Sequence, residues 1–290
     1  MNGILPVDKP AGWTSNDVVQ KLRGILHERR IGHAGTLDPL ATGLLTVFVG
    51  RATKGVQFAE ADRKRYTASM RLGLVTDTLD ITGEVLEEHA ADVTEEQFLR
   101  ILKQFLGRQT QIPPMYSAVK VNGERLYRLA RRGQEVERTP REIEIYSLEL
   151  ISYRPDEIIL DVSCSKGTYI RSLCHDIGAR LGCGASMTAL RRTESGIFRA
   201  EDSYSLEQIA AGEYKLTPLD ALFAAHPAAV LPEADAKCLR LGQPLHTKLG
   251  DGTYRLYSKE GEFLALGIVD SKAGGLSELH VLKRFYEVDK

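Results

Sequence analysis

Residues 32–43, Gly32-His33-Ala34-Gly35-Thr36-Leu37-Asp38-Pro39-Leu40-Ala41-Thr42-Gly43, constrain this chain more than any other stretch. Three glycines and a proline within twelve residues mark a loop of fixed shape. The loop carries one carboxylate, Asp38, and one imidazole, His33. An aspartate before a proline commonly serves only its own turn. Glycines on both sides, and the short apolar strand expected at 44–49, favour a functional reading. A carboxylate held on a shaped loop is the minimum equipment for nucleophilic or general-base chemistry.

The surrounding pattern is α+β. Residues 3–7 read as a strand and 8–12 as a turn. Thr14 or Ser15 caps a helix through Val18, Val19, Leu22, Ile25 and Leu26. Tyr66, Ala68, Met70 and Leu72 alternate with polar neighbours, which predicts a half-buried strand. Thr94-Glu95-Glu96-Gln97 has capping-box form. The Pro113-Pro114 pair excludes a central strand or helix interior at 112–116. Residues 125–132 read as a short basic helix. Strands at 142–153 and 157–164 precede a helix through Ile170, Leu173, Cys174, Ile177 and Leu181, with Thr168 as its cap. Hairpin-like connections outnumber long crossovers, so the sheet is expected to be mixed and mostly antiparallel. Short β-like runs split by glycines after 232 suggest a small C-terminal β-barrel. The expected division is 1–231 for the larger domain and 232–290 for the smaller.

The net charge of the 290 residues is −1, which neither favours nor excludes a nucleic-acid partner. Residues 120–141 differ from that average, with seven cations against three anions. Among them Arg125, Arg128, Arg131 and Arg132 interleave with Leu126, Tyr127 and Leu129, a basic-plus-aromatic pattern suited to nucleic acid. The four cysteines form no C-x-x-C pair and no zinc-finger spacing. Reduced thiols in a cytoplasmic protein are expected, with no membrane span and no metal. Walker A, G-x-G-x-x-G, H-E-x-x-H and G-x-S-x-G strings are absent, which lowers the standing of phosphoryl transfer, nicotinamide chemistry and zinc hydrolysis.

Individual candidates carry plain alternatives. His33 is equally readable as a loop histidine or as a group that stacks on a base. Arg171 near a helix N-terminus opposes the helix dipole, which makes sense if an anion sits against both. Tyr169 and Tyr66 are by default packing residues.

Six separated segments resemble, in order, the TruB-type tRNA pseudouridine synthases. They are Val7-Asp8-Lys9-Pro10-Ala11-Gly12-Trp13-Thr14-Ser15, the 32–43 loop, Lys64-Arg65-Tyr66, Ile112-Pro113-Pro114-Met115-Tyr116-Ser117-Ala118-Val119-Lys120, Gly167-Thr168-Tyr169-Ile170-Arg171 and Leu190-Arg191-Arg192-Thr193. The C-terminal region resembles the PUA-like RNA-binding domain of bacterial members. The resemblance implies isomerisation of uridine to pseudouridine at position 55 in the TΨC loop of tRNA, without cofactor, by a monomer. It implies that Asp38 carries the chemistry and that Arg171 pairs with it, holding it ionised and aimed; an arginine fork is able to grip a carboxylate through two parallel hydrogen bonds. It further implies that Tyr66 stacks on the base, that Tyr169 and Leu190 wall the pocket, that His33 fills the gap left by a flipped base, and that Lys9 supports the site. The arginines at 125, 128, 131 and 132 would clamp the T-arm. A guide-RNA-dependent synthase subunit and a tRNA-folding chaperone remain the alternatives.

Overall fold

The computed structural model describes residues 1–60, 63–243, 245–271 and 277–286. The chain runs through β1 (Gly3–Lys9), α1 (Ser15–Leu26), β2 (Ile31–Ala34), β3 (Thr42–Val49), α2 (Val56–Glu60) and β4 (Lys64–Leu72). A hairpin of β5 (Leu74–Thr76) and β6 (Val85–Glu88) leads to α3 (Glu95–Leu102) and β7 (Gly107–Gln111). A second hairpin, β8 (Lys120–Val121) and β9 (Glu124–Arg125), carries α4 (Leu126–Ala130). Then come β10 (Arg141–Ser152), β11 (Ile158–Cys164), α5 (Ile170–Leu181), β12 (Ala185–Ser195), β13 (Phe198–Arg199) and α6 (Leu206–Ala210). The C-terminal elements are β14 (Ala228–Val230), α7 (Glu233–Leu241), β15 (Leu245–Thr247), β16 (Gly252–Tyr257), β17 (Phe263–Ser271) and β18 (Ser277–Arg284).

The fold is α+β, as the sequence pattern predicts. Nine strands form the main sheet in the order β1-β3-β12-β4-β11-β10-β7, with β2 also on β3 and β13 also on β12. Among the described residues, β3–β12 is the parallel pair of this sheet and the remaining pairs are antiparallel. That pair sets Thr42 and Gly43 beside Arg191 and Arg192. Antiparallel pairing of β12 with β4 then puts Arg192 opposite Tyr66 and Leu190 opposite Ala68. The entry to β3 and the middles of β12 and β4 are thereby neighbours.

Two apolar layers fix this arrangement. Alternation along β4 buries Tyr66, Ala68, Met70 and Leu72 against Phe98 of α3 and Ile170, Leu173, Cys174 and Ile177 of α5. A buried side chain of this size contributes about 1.5–3 kcal/mol, so α5 is firmly seated. On the other side Val18, Val19 and Leu22 of α1 pack on Leu5, Val7, Leu45, Val47 and Val49. Thr14 caps α1 in a full capping box with Asp17, and Thr94 does the same for α3 with Gln97.

Three local expectations are corrected. Ile31–Ala34 is a strand, not part of the loop, because Ile31 and Ala34 bury on β3 while Gly32 and His33 pair with Phe48 and Val47. Asp8 and Lys9 belong to β1 instead of a turn. Tyr169, not Thr168, is the N-cap of α5, because the Thr168 hydroxyl is spent on the carbonyl of Ser165.

The C-terminal sheet has the order β14-β16-β17-β18-β15 and curls into a half-barrel whose edge strands β14 and β15 stay apart. Since β14 forms the parallel edge beside β16, this sheet starts before the expected 231/232 line. We propose that the two units divide just ahead of Ala228. Phe58 and Phe223 meet Phe263 and Phe285 at the seam, with Phe58–Phe223 and Phe263–Phe285 centroids both 5.0 Å apart. Arg51 adds an ion pair to Glu262 at 3.2 Å.

The tightest point of the main sheet is Gly43, at φ +90°, where an added Cβ would stand 2.4 Å from the Arg192 carbonyl oxygen. Gly43→Ala is expected to lower the unfolding free energy by at least about 2 kcal/mol. Urea unfolding measures it, and a change below about 0.5 kcal/mol would show that β3 and β12 do not need this approach.

Candidate active site

The loop at 35–41 joins β2 to β3, and four residues pin its backbone. Ser15 Oγ accepts from the Leu37 amide at 2.9 Å and donates to the Leu37 carbonyl at 3.1 Å. The Gly12 amide donates to the Pro39 carbonyl at 2.8 Å. Lys9 is fully buried, and its ammonium reaches the carbonyls of Trp13 at 2.6 Å, Pro10 at 2.9 Å and Pro39 at 3.4 Å. Burial lowers its pKa to about 8, with Asp38 pulling the other way. The group is therefore still charged at neutral pH. Arg192, also buried, donates from Nε to the Leu44 carbonyl at 2.7 Å and from Nη2 to the Gly35 carbonyl at 2.9 Å. Buried cations satisfied by loop carbonyls hold the loop as a rigid body.

Asp38 points from this loop towards α5. Arg171 Nε lies 2.9 Å from Asp38 Oδ2 and 3.7 Å from Asp80 Oδ2. The Nε–H is not aligned for a hydrogen bond, so the contact with Asp38 is an ion pair. The remaining arms are taken: Nη1 donates to the Thr78 carbonyl at 2.9 Å and Nη2 to the Tyr116 carbonyl at 2.8 Å. The two-bond grip open to an arginine fork is therefore not made, because two main-chain acceptors occupy the fork. Asp80 sits in the β5–β6 turn with Oδ1 held by Thr78 Oγ1 at 3.0 Å, the Thr82 amide at 3.0 Å and Thr82 Oγ1 at 2.5 Å. Between Thr78 and Asp80, Leu79 adopts φ +65°, a conformation costing on the order of 1–3 kcal/mol.

The Asp38 side chain keeps 36% of its surface open to the cavity while Arg171 keeps 4%. Burial pushes the Asp38 carboxyl above the ordinary aspartate range. Arg171 opposes the shift and Asp80 adds to it. Arg171 thus favours the ionised form without overcoming burial, and water at the exposed edge limits the upward push.

The cavity in front of Asp38 has a volume of about 600 Å³. Asp38, Tyr66, Tyr169, Arg171 and Leu190 all line it, so five expected site residues converge. Tyr66 is nearly buried, and that burial raises its phenol pKa, so it remains a hydroxyl donor at neutral pH. Tyr169 is braced by Gln111, whose amide accepts from the Tyr169 N–H at 2.8 Å and donates to the Tyr169 carbonyl at 3.0 Å. Arg141 stands over the Tyr169 ring at 5.7 Å.

Other expected residues stand outside the cavity wall. Lys9 lies behind the loop. His33, on β2, is partly buried with an unpartnered Nδ1, and burial and Arg192 lower its pKa, so it is neutral at pH 7. Arg125, Arg128, Arg131 and Arg132 are exposed around α4, with Arg132 on Glu124 at 2.7 Å and Arg131 over Tyr127 at 5.7 Å.

Residue-type reasoning missed the cations Lys64, Arg141, Lys166 and Arg192, which line the cavity with Arg171 against the anions Asp38 and Glu142. Two of them were findable. Lys64 and Arg192 lie two positions from Tyr66 and Leu190 on their strands, hence on the same face. A cavity with this excess of cations, two aromatic rings and one arginine-contacted carboxylate suits a planar base on a phosphate backbone. Among the described residues, no three His, Cys, Asp or Glu gather to hold a metal ion.

Comparison with known proteins agrees with this chemistry. Residues 23–170 match the TruB family pseudouridylate synthase N-terminal domain, and 171–225 match the tRNA pseudouridylate synthase B C-terminal domain. The join falls inside the site, between Tyr169 and Arg171. The tRNA pseudouridine synthase B of Clostridium perfringens is 42% identical, covering 96% of this chain and 99% of its own length. That of Azoarcus sp. is 44% identical over 92% and 91%. Among solved structures, a Cbf5-Nop10-Gar1 complex aligns with a TM-score of 0.72 at 27% identity, covering 99% of this chain and 85% of that one. An H/ACA RNP bound to a substrate RNA containing 2′-deoxyuridine aligns with the same TM-score at 25% identity, covering 99% and 86%. The chain belongs to the TruB family of pseudouridylate synthases.

Proposed function

We propose that this protein isomerises uridine 55 in the TΨC loop of tRNA, acting alone as a cytoplasmic monomer. The observation that carries the reading is Asp38, held on a pinned loop and contacted by Arg171 at the floor of a cationic, aromatic cavity. In the reaction the N1–C1′ bond breaks, the uracil turns, and a C5–C1′ bond forms. The C5 hydrogen leaves as a proton and N1 gains one, so nothing is oxidised and no group is imported. A carboxylate suffices, either as nucleophile or to stabilise charge while the glycosidic bond is open. The uridine must leave its stack to reach Asp38.

In this reading Arg171 aims Asp38, Tyr66 lies on the base, and Tyr169 and Leu190 wall it. Lys9 acts only through the loop. His33, outside the cavity wall, is assigned no contact with the base in the pocket. The exposed arginines 125, 128, 131 and 132 engage phosphates of the T-arm, where each neutralised phosphate makes binding more salt-dependent. Among the described residues, no helix is long and apolar enough to cross a membrane. The guide-RNA reading rests on structural neighbours at 25–27% identity. Relatives at 42–44% named tRNA pseudouridine synthase B support the stand-alone reading. A chaperone role is compatible with either, since it needs binding alone.

The test is incubation of purified protein with an unmodified tRNA transcript, followed by mapping of pseudouridine at single-nucleotide resolution. Modification confined to position 55, without added RNA or protein, is expected. No product at 55, or a requirement for a guide RNA, would overturn the reading.

The rate should also fall in acid, because Asp38 must be ionised. Its pKa is raised from 3.8 by burial and by Asp80, so the midpoint of the acid limb is expected above that value. The sign for stability is opposite. A raised carboxyl pKa stabilises the fold at low pH, and that contribution is lost as pH rises through the folded value. Loss of rate in acid is then not unfolding caused by this group. Single-turnover rates against pH, with circular dichroism in parallel, measure both.

Arg171→Lys is expected to cost about a hundredfold in single-turnover rate. One ammonium cannot serve Asp38, Thr78 and Tyr116 together. A phosphate-anchoring role would instead weaken affinity and its salt slope while leaving the saturated rate intact.

A further inference from the structure

Three chain segments meet at the Arg171 guanidinium: the Asp38 loop, the β5–β6 turn through Thr78, and the segment before the basic hairpin through Tyr116. The last two are also joined directly. Tyr116 donates its phenol proton to Asp77 Oδ2 at 3.1 Å, one residue from Thr78. Asp77 is itself held by Glu84, since its Oδ1 accepts from the Glu84 amide at 2.8 Å and its own amide donates to the Glu84 carbonyl at 3.1 Å. Gly83 is packed so closely that a Cβ there would fall 2.2 Å from Asp77 Oδ1. Burial and Asp77 push the Tyr116 phenol pKa up, so it stays a donor, while Arg131 is near enough to pull it slightly the other way.

The same segment runs into the basic surface within a few bonds. The Tyr127 amide donates to the Ser117 carbonyl at 3.1 Å, and the Leu126 amide donates to the Val119 carbonyl at 2.8 Å. Leu126 is fully buried, so α4, with Arg128 and then Arg131, starts from a fixed root. A continuous line of hydrogen bonds and covalent links, closed by the Arg171–Asp38 ion pair, leads from the exposed arginines through Tyr127, Ser117, Tyr116 and Arg171 to Asp38.

We propose that Tyr116 is a positioning residue whose hydrogen bond to Asp77 latches the basic hairpin to the β5–β6 turn, so that RNA docking on the α4 arginines is coupled to the aim of Asp38 through Arg171. The inference rests on the functional reading above. Hydrogen bonds to a charged acceptor are among the stronger ones. Without the phenol oxygen, the Tyr116 carbonyl can drift from Nη2, and the guanidinium can turn its Nε away from Asp38.

Tyr116→Phe removes one oxygen and keeps the ring. In the full-length protein with a tRNA transcript, affinity is expected within about twofold of wild type and the single-turnover rate at saturating enzyme about tenfold lower. Asp77→Asn, which keeps a hydrogen-bond partner for the phenol, is expected to retain the rate within about threefold. Replacing Arg128 and Arg131 by Gln should lower both affinity and saturated rate in the wild-type background. In the Tyr116→Phe background the same replacement should lower affinity alone. A wild-type rate for Tyr116→Phe, or equal falls in rate and affinity, would overturn the latch. So would an arginine effect on rate that is the same in both backgrounds. Amide exchange reads the latch without turnover: Leu126 and Tyr127 should exchange faster in Tyr116→Phe, and unchanged exchange overturns the proposal whatever the activity. Absence of pseudouridine with the wild-type protein would instead overturn the functional reading.

Discussion

A guanidinium taken out of water must have its charge compensated, and the site is arranged around that requirement. Arg171 is buried near the start of α5, where the helix dipole opposes a cation. Two carboxylates and two main-chain carbonyls compensate. Because those groups come from three separate segments, satisfying one charge locates the Asp38 loop, the β5–β6 turn and the root of the basic hairpin relative to one another. Removing a partner would leave a buried charge short of contacts, which costs far more than the contact itself gains.

The sheet supplies the other half of the constraint. Parallel pairing of β3 with β12 brings the end of the loop against Arg192, and Gly43 permits the close approach. Lys9, Ser15 and Arg192 then bind the carbonyls the loop would otherwise expose. Rigidity of this kind suits the role proposed for Asp38, a carboxylate that meets one atom of its substrate. It is obtained against local cost: Asp38 is desolvated, and Leu79 sits in the left-handed region. Such local strain is tolerated where surrounding packing over-determines the geometry.

Much of this was legible in the sequence. Alternation along 66–72 identified β4 and the buried face of Tyr66, and the capping box at Thr94 marked the start of α3, while the start of α1 was placed to within one residue, at Thr14 or Ser15. The glycines and proline around Asp38 pointed to the loop, although Gly32 and His33 concealed a strand whose pairing is decided by β3. What the sequence could not show is contact between distant positions. Gln111 bracing Tyr169 and Asp80 facing Arg171 join residues far apart in the chain, and neither residue carries a local signal for its partner. That Arg171 does not grip Asp38 through two bonds was hidden for the same reason, since the competing acceptors Thr78 and Tyr116 are visible only in the fold.

The central claim is that Asp38 carries out the isomerisation in this cavity, and loss of the C5 hydrogen reports on it directly. A tRNA transcript made with uridine tritiated at C5 should release one equivalent of tritium to water from position 55 with the wild-type protein. Asp38→Asn should bind the same transcript within a few-fold and release none, because asparagine is nearly isosteric but neither nucleophilic nor charged. Tritium release by Asp38→Asn at a rate near that of wild type would contradict the account.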